Sequence, residues 1–138
     1  MKSTVSWREA RTFEGLTEDG FRVTLGQATD ATDKPGPSAM ELVLIGAGGC
    51  AAYDVVSILE KARQDVSGVE VQLSADRADE VPKVFTRIAM HFVVRGRGVV
   101  EARVARAVEL SATKYCSATQ MLNKTAEVST SFEVVEDG

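Results

Sequence analysis

Two of the 138 residues are cysteines, Cys50 and Cys116. A thiolate is a nucleophile, and two thiols brought together can cycle between dithiol and disulfide. Cys50 follows Gly48-Gly49 directly, inside the most apolar stretch of the chain, residues 40–59. Gly46, Gly48 and Gly49 each cost a helix roughly 0.5–1 kcal/mol relative to alanine. A helix bears that cost where another backbone or a ligand must come close, so Cys50 is expected beside a second packed segment. If that segment carries Cys116, the pair can do thiol chemistry. A competing reading makes Cys50 a small core side chain, since free cysteine is among the most buried residue types.

Few other side chains qualify. Asp54 follows Cys50 by one helical turn on the same face, where it either fixes an arginine reaching over from a partner subunit or is paired for structural reasons. Unpaired, its charge would raise the thiol pKa. Cys116 opens a short predicted helix, whose backbone N–H groups favour a thiolate. His91 shares a strand face with Arg87 and Arg95 and reads as solvent-exposed. Tyr53 and Tyr115 read as core or interface aromatics, and Trp7 as packing a sheet. Two cysteines and one histidine leave too few soft ligands at motif spacing for zinc, so neither metal nor cofactor is expected.

These residues need a scaffold, and 138 residues with 44% apolar content suffice for a single domain over residues 1–138. A net charge of −4 with no basic stripe argues against nucleic acid. Residues 1–10 lack the apolar core of a secretory peptide, which points to the cytoplasm. There, two cysteines are expected as free thiols or a transient catalytic pair. Residues 40–59 are long enough to cross a bilayer, but Glu41, Asp54, the glycines and the missing flanking anchors weigh against a membrane span.

Alternation at Val5 and Trp7 and at Phe21, Val23 and Leu25, with a turn at Asp19-Gly20, predicts strands over residues 3–26. Residues 28–38 form a loop, and Ser38 is placed to cap a long helix running to about Gln64. Gly68 breaks the chain before a strand at Val69, Val71 and Leu73. A polar connection over 76–82 leads to a strand carrying Val84, Thr86, Ile88, Met90, Phe92 and Val94 on one face. Helical spacing then joins Val100, Val104, Ala107, Val108, Ser111 and Tyr115, before a short helix over 116–124. Val128, Thr130, Phe132 and Val134 make the last strand. The order is βββ-α-ββ-αα-β, an α+β fold. Its long helix is apolar all round while each strand has one polar side, so a homodimer is expected to cover the remaining helix face.

The chain resembles the OsmC/Ohr family over essentially its whole length. The likeness rests on the element order, on Cys50 within Leu-x-x-x-Gly-Gly-Cys in the long central helix, and on Cys116 opening a later short helix. The stretches Ser38-Ala39-Met40-Glu41-Leu42, Gly48-Gly49-Cys50, Asp54-Val55-Val56 and Lys114-Tyr115-Cys116-Ser117 look most like the branch related to the YhfA proteins. The resemblance implies an intertwined homodimer with a long buried central helix against antiparallel sheets, and active sites at the subunit interface. It implies that Cys50 is the peroxidatic thiol and Cys116 the resolving one. The substrate would be a small hydrophobic hydroperoxide and the reductant a dithiol, often carried by a lipoylated protein. Peroxidatic members also hold a glutamate about ten residues before the cysteine, supporting an arginine. Here that position is Met40, and Glu41, roughly 900° of helix before Cys50, is expected to face away. Arg8, Arg11 and Arg22 lie in the first strands without a motif selecting one. A non-enzymatic module holding a small hydrophobic ligand at the dimer interface is the alternative.

Overall fold

A computed structural model describes residues 1–29 and 33–138. Residues 30–32, the middle of the expected loop, lie outside the described residues. The elements are β1 (Ser3–Glu9), β2 (Thr12–Thr17), β3 (Arg22–Gly26), α1 (Ala39–Lys61), β4 (Asp65–Arg77), β5 (Phe85–Arg97), α2 (Glu101–Leu110), α3 (Ser117–Leu122) and β6 (Glu127–Glu136). The expected element order holds. The chain divides into two compact units, Met1–Ile45 and Gly46–Gly138.

The first unit is an antiparallel sheet in the order β1-β2-β3. Gly20, at φ +95°, makes the β2–β3 turn that the Asp-Gly pair announced. On β2, the Glu14 carboxylate is gripped by Arg8 from β1, at 2.7 Å, and by Arg22 from β3. These guanidiniums, Arg8 foremost, hold its pKa below the ordinary value. Two of the three arginines weighed above therefore serve a cross-strand clamp, and Arg11 donates to the Ala10 carbonyl at 3.3 Å. Trp7 does not pack the sheet as expected: it is 67% exposed, and its indole N–H donates to the Ala10 carbonyl at 3.0 Å.

Ser38 caps α1 as the sequence indicated. Its Oγ accepts the Glu41 N–H at 3.1 Å, and the Glu41 carboxylate accepts the Ser38 N–H at 3.0 Å, a reciprocal capping box. Lys34 also binds that carboxylate, and together they draw the Glu41 pKa down to about 2. Glu41 is thus committed to starting the helix.

The second unit carries the core. Ala47, Ala51, Val55 and Leu59 recur every four residues of α1 and are buried, with Gly48 on the same stripe. They belong with Ile88, Met90, Phe92 and Val94 of β5 and Val104, Ala107 and Val108 of α2 among the buried residues. The sequence reading expected one chain to cover only one side of this apolar helix, and that is what the fold shows. Within one chain α1 buries a single stripe, while Val43, Ile45 and Tyr53, the last 75% exposed, face outward. Of the three glycines, Gly48 alone marks a close approach, since a Cβ there would meet Leu73 Cδ1 at 2.7 Å. Gly46 and Gly49 face open space.

Two strand boundaries move for a physical reason. β4 begins at Asp65, earlier than expected, because Gly68 bulges within the ladder instead of ending it: Val66 pairs with Gly96 and Gly68 with Arg95. A second irregularity pairs Asp76 with Arg87 and Arg77 with Phe85, which shifts the alternation and buries Phe85 in place of Val84 and Thr86. The order β4-β5-β6 is antiparallel at its first pairing but parallel at β5–β6, where antiparallel strands were expected. The helical segment between β5 and β6 is long enough for the crossover that parallel pairing requires.

Candidate functional site

The second helical region does not run evenly into Cys116. After α2, residues Ser111–Tyr115 form one π-helical turn, in which the Cys116 N–H reaches back five residues to the Ser111 carbonyl at 2.9 Å. The wide turn frees a carbonyl at Ala112, which Gln120 Nε2 satisfies at 2.8 Å. Cys116 then turns to extended backbone, at φ −74° and ψ 104°, and becomes the N-cap of α3. Its sulfur accepts the Thr119 N–H at 3.4 Å and the Thr119 hydroxyl at 3.0 Å, taking the place of the usual capping oxygen.

This geometry carries Cys116 to the face of α1 that presents Cys50 and Asp54. The two sulfurs and an Asp54 carboxylate oxygen all lie within 4.8 Å of one another. Both thiols are free. They differ in access: Cys50 is half-buried, whereas Cys116 is wholly buried. Burial pushes the Cys116 thiol pKa up. The two Thr119 donors oppose that shift, and the neighbouring Cys50 adds to it. The helix-start effect expected at Cys116 is therefore present, through Thr119, but burial outweighs it.

Asp54 is held by Ser111, whose hydroxyl lies 3.2 Å from Oδ2 and 3.4 Å from the Ala51 carbonyl. Ser111 is itself buried. Among the described residues Asp54 makes no ion pair, so within the described chain its partnership is the structural one, with Ser111. Sequence reading placed Ser111 merely on the helical stripe and passed over Thr119. Both left a signal. Ser111 is a small polar residue in a stripe that is otherwise valine, alanine and one tyrosine, and Cys116-x-x-Thr119 has the spacing of a helix cap.

The remaining candidates stand elsewhere. His91 is part-exposed on the β5–β6 ladder, with Nδ1 2.7 Å from Ser131 Oγ and Nε2 3.1 Å from Glu133 Oε1. The Lys114 ammonium lies over the Tyr115 ring at 5.2 Å from its centroid.

Known proteins share this arrangement of elements. A family model for OsmC-like proteins matches residues 31–131. Protein YhfA of Escherichia coli (strain K12) is 48% identical over 136 residues, covering 98% of each chain. A hypothetical protein from Aquifex aeolicus VF5 has a crystal structure that superposes with a TM-score of 0.88 at 30% identity, over 99% of this chain and 97% of that one. The organic hydroperoxide resistance protein OsmC of Legionella pneumophila superposes with a TM-score of 0.66 at 17% identity, over 96% and 97%, a likeness of fold. Matched over most of its length by the family model, and end to end by a relative at nearly half identity, this chain belongs to the OsmC-like family, in the branch of the YhfA proteins.

Proposed function

We propose that the protein is a thiol-dependent peroxidase that reduces small hydrophobic hydroperoxides in the cytoplasm, working as a homodimer. The observation that carries this reading is the approach of two free thiols, within 4.8 Å, from elements far apart in the sequence. The half-buried Cys50 is the sulfur a peroxide can reach, and the wholly buried Cys116 is suited to the intramolecular step. The Cys50 thiolate attacks the O–O bond, takes one oxygen and releases the alcohol once the alkoxide is protonated. Cys50 is then a sulfenic acid. Cys116 displaces hydroxide from that sulfur, which leaves as water, and a disulfide forms. An external dithiol, such as a lipoyl group on a carrier protein, exchanges with the disulfide and restores both thiols. The Thr119 donors to Cys116 Sγ favour the thiolate that resolution needs. Val43, Ile45 and Tyr53, exposed on α1, supply the apolar surface for a second copy.

Stoichiometric cumene hydroperoxide tests the reading. The wild type should lose two hydrogens and yield a Cys50–Cys116 disulfide. Cys50→Ser should consume no peroxide. Cys116→Ser should accumulate a Cys50 sulfenic acid that a dimedone-type probe labels. If both single variants consume peroxide as fast as the wild type, or the folded wild type consumes none, the redox reading fails. The same apolar surface then supports the second reading, a module that holds a hydrophobic ligand without chemistry.

A further inference from the structure

We propose that the reduced site is also a binding site for a divalent ion of the zinc class, held by Cys50 Sγ, Cys116 Sγ and an Asp54 carboxylate oxygen. The three ligand atoms already lie within 4.8 Å of one another. Zinc with Zn–S bonds of about 2.3 Å and Zn–O bonds of about 2.1 Å needs tetrahedral edges of roughly 3.5–3.8 Å. Closing to that spacing takes side-chain motion of no more than about 1 Å, small against rotamer freedom. Linear spacing concealed the site, because its members come from the middle of α1 and from the cap of α3.

The surroundings are those of a built metal site. Metal ligands are usually oriented by outer hydrogen bonds, and each of the two elements here has one. Ser111 fixes Asp54 Oδ2, and Thr119 gives its N–H and hydroxyl to Cys116 Sγ. Cys50 and Asp54 lie one turn apart on α1, the spacing that lets two side chains of one helix hold a common ion. Among the described residues, Asp54 has no cation paired with it. Two thiolates exclude magnesium and calcium, which take oxygen ligands, and favour zinc or a softer ion. Three protein ligands leave the fourth tetrahedral position of such an ion for a water.

Binding releases two thiol protons and leaves both sulfur lone pairs engaged by the metal. The ion therefore guards the thiols. Oxidation reverses it: the zinc dithiolate, one hydroperoxide and two protons give a disulfide, an alcohol, water and free zinc. This coupling to peroxide rests on the redox reading above, whereas the metal site itself does not.

The test uses the full-length reduced protein and cobalt(II), without peroxide. One cobalt per chain should bind with a thiolate-to-metal charge-transfer band and strong tetrahedral ligand-field bands, and zinc should displace it. Cys50→Ser and Cys116→Ser should each lose about half of the charge-transfer intensity, one thiolate of two. Asp54→Asn should keep that intensity but weaken zinc binding by at least about tenfold, as competition with a chromophoric chelator reads it. Ser111→Ala, which leaves every ligand in place, should weaken it by about 10- to 100-fold with no loss of the charge-transfer band. Absence of the band in folded, reduced wild type overturns the site. Unchanged zinc affinity in both Asp54→Asn and Ser111→Ala overturns the third ligand. In a separate arm, zinc-loaded protein should react more slowly with cumene hydroperoxide than metal-free protein and release one zinc per disulfide. Metal-free protein that ignores peroxide refutes the redox reading and leaves the metal site standing.

Discussion

The Thr119 hydroxyl donates to Cys116 Sγ at 3.0 Å, inside a region where both residues are almost wholly buried. A donor to a buried sulfur favours its ionised form, against a burial that resists it.

Thr119→Val removes that donor while keeping the shape of the side chain. A hydrogen bond to a charged acceptor contributes about 1.5–3 kcal/mol, so disulfide formation should slow by roughly tenfold or more. The first oxidation, at Cys50, should proceed unchanged. Rapid-mixing mass spectrometry checks this: the sulfenic acid should persist, and the resolving step should move to higher pH. Resolution at the wild-type rate and pH would remove Thr119 from the chemistry.

The glycines of α1 should separate folding from association. Gly48→Val places side-chain atoms where Leu73 Cδ1 would lie 2.7 Å from the first added carbon, and should cost about 1–3 kcal/mol in urea unfolding. Gly49→Val meets nothing within the chain and should leave its helical content intact. Sedimentation of Gly49→Val should show weaker self-association than the wild type, which should sediment at twice the mass of one chain. A wild type that stays monomeric at micromolar concentration would sink the dimer.

Acid should loosen the start of α1. The Glu41 pKa is about 2 in the folded chain against an ordinary 4.5. Its stabilising contribution is therefore complete above pH 4.5 and fades as pH falls toward 2. Carbon-detected NMR should follow the carboxyl titrating near 2. Glu41→Gln keeps a capping acceptor but loses the Lys34 ion pair, so that component of the acid dependence should vanish.

Gly96 should tolerate no side chain. A Cβ there would sit 2.1 Å from the Asp65 carbonyl oxygen and 2.6 Å from Val99 Cγ2. The first is backbone and has little room to give. Gly96→Ala should destabilise the β4–β5 ladder by roughly 1–3 kcal/mol or more, read as a lower urea midpoint and faster amide exchange from Asp65 to Gly68.

The amino-acid sequence by itself determined the features that depend on near neighbours. Ser38 and Glu41 form their capping box from a spacing of three, Asp19-Gly20 makes its turn, and alternation at Ile88, Met90, Phe92 and Val94 sets the buried face of β5. Cys50 and Asp54 share a helix face for the same local reason. Only the tertiary structure decided how Cys116 reaches them. Its route depends on a π-helical turn, whose freed carbonyl needs Gln120 for a partner, and on a parallel β5–β6 pairing that returns the chain after α3. Spacing along the chain likewise concealed Ser111 as the residue that holds Asp54, a contact between residues distant in sequence that no local propensity encodes. Thr119 differs: its spacing of three from Cys116 is that of a helix cap, and only the tertiary burial of both residues decided that the cap is a donor to a buried thiol.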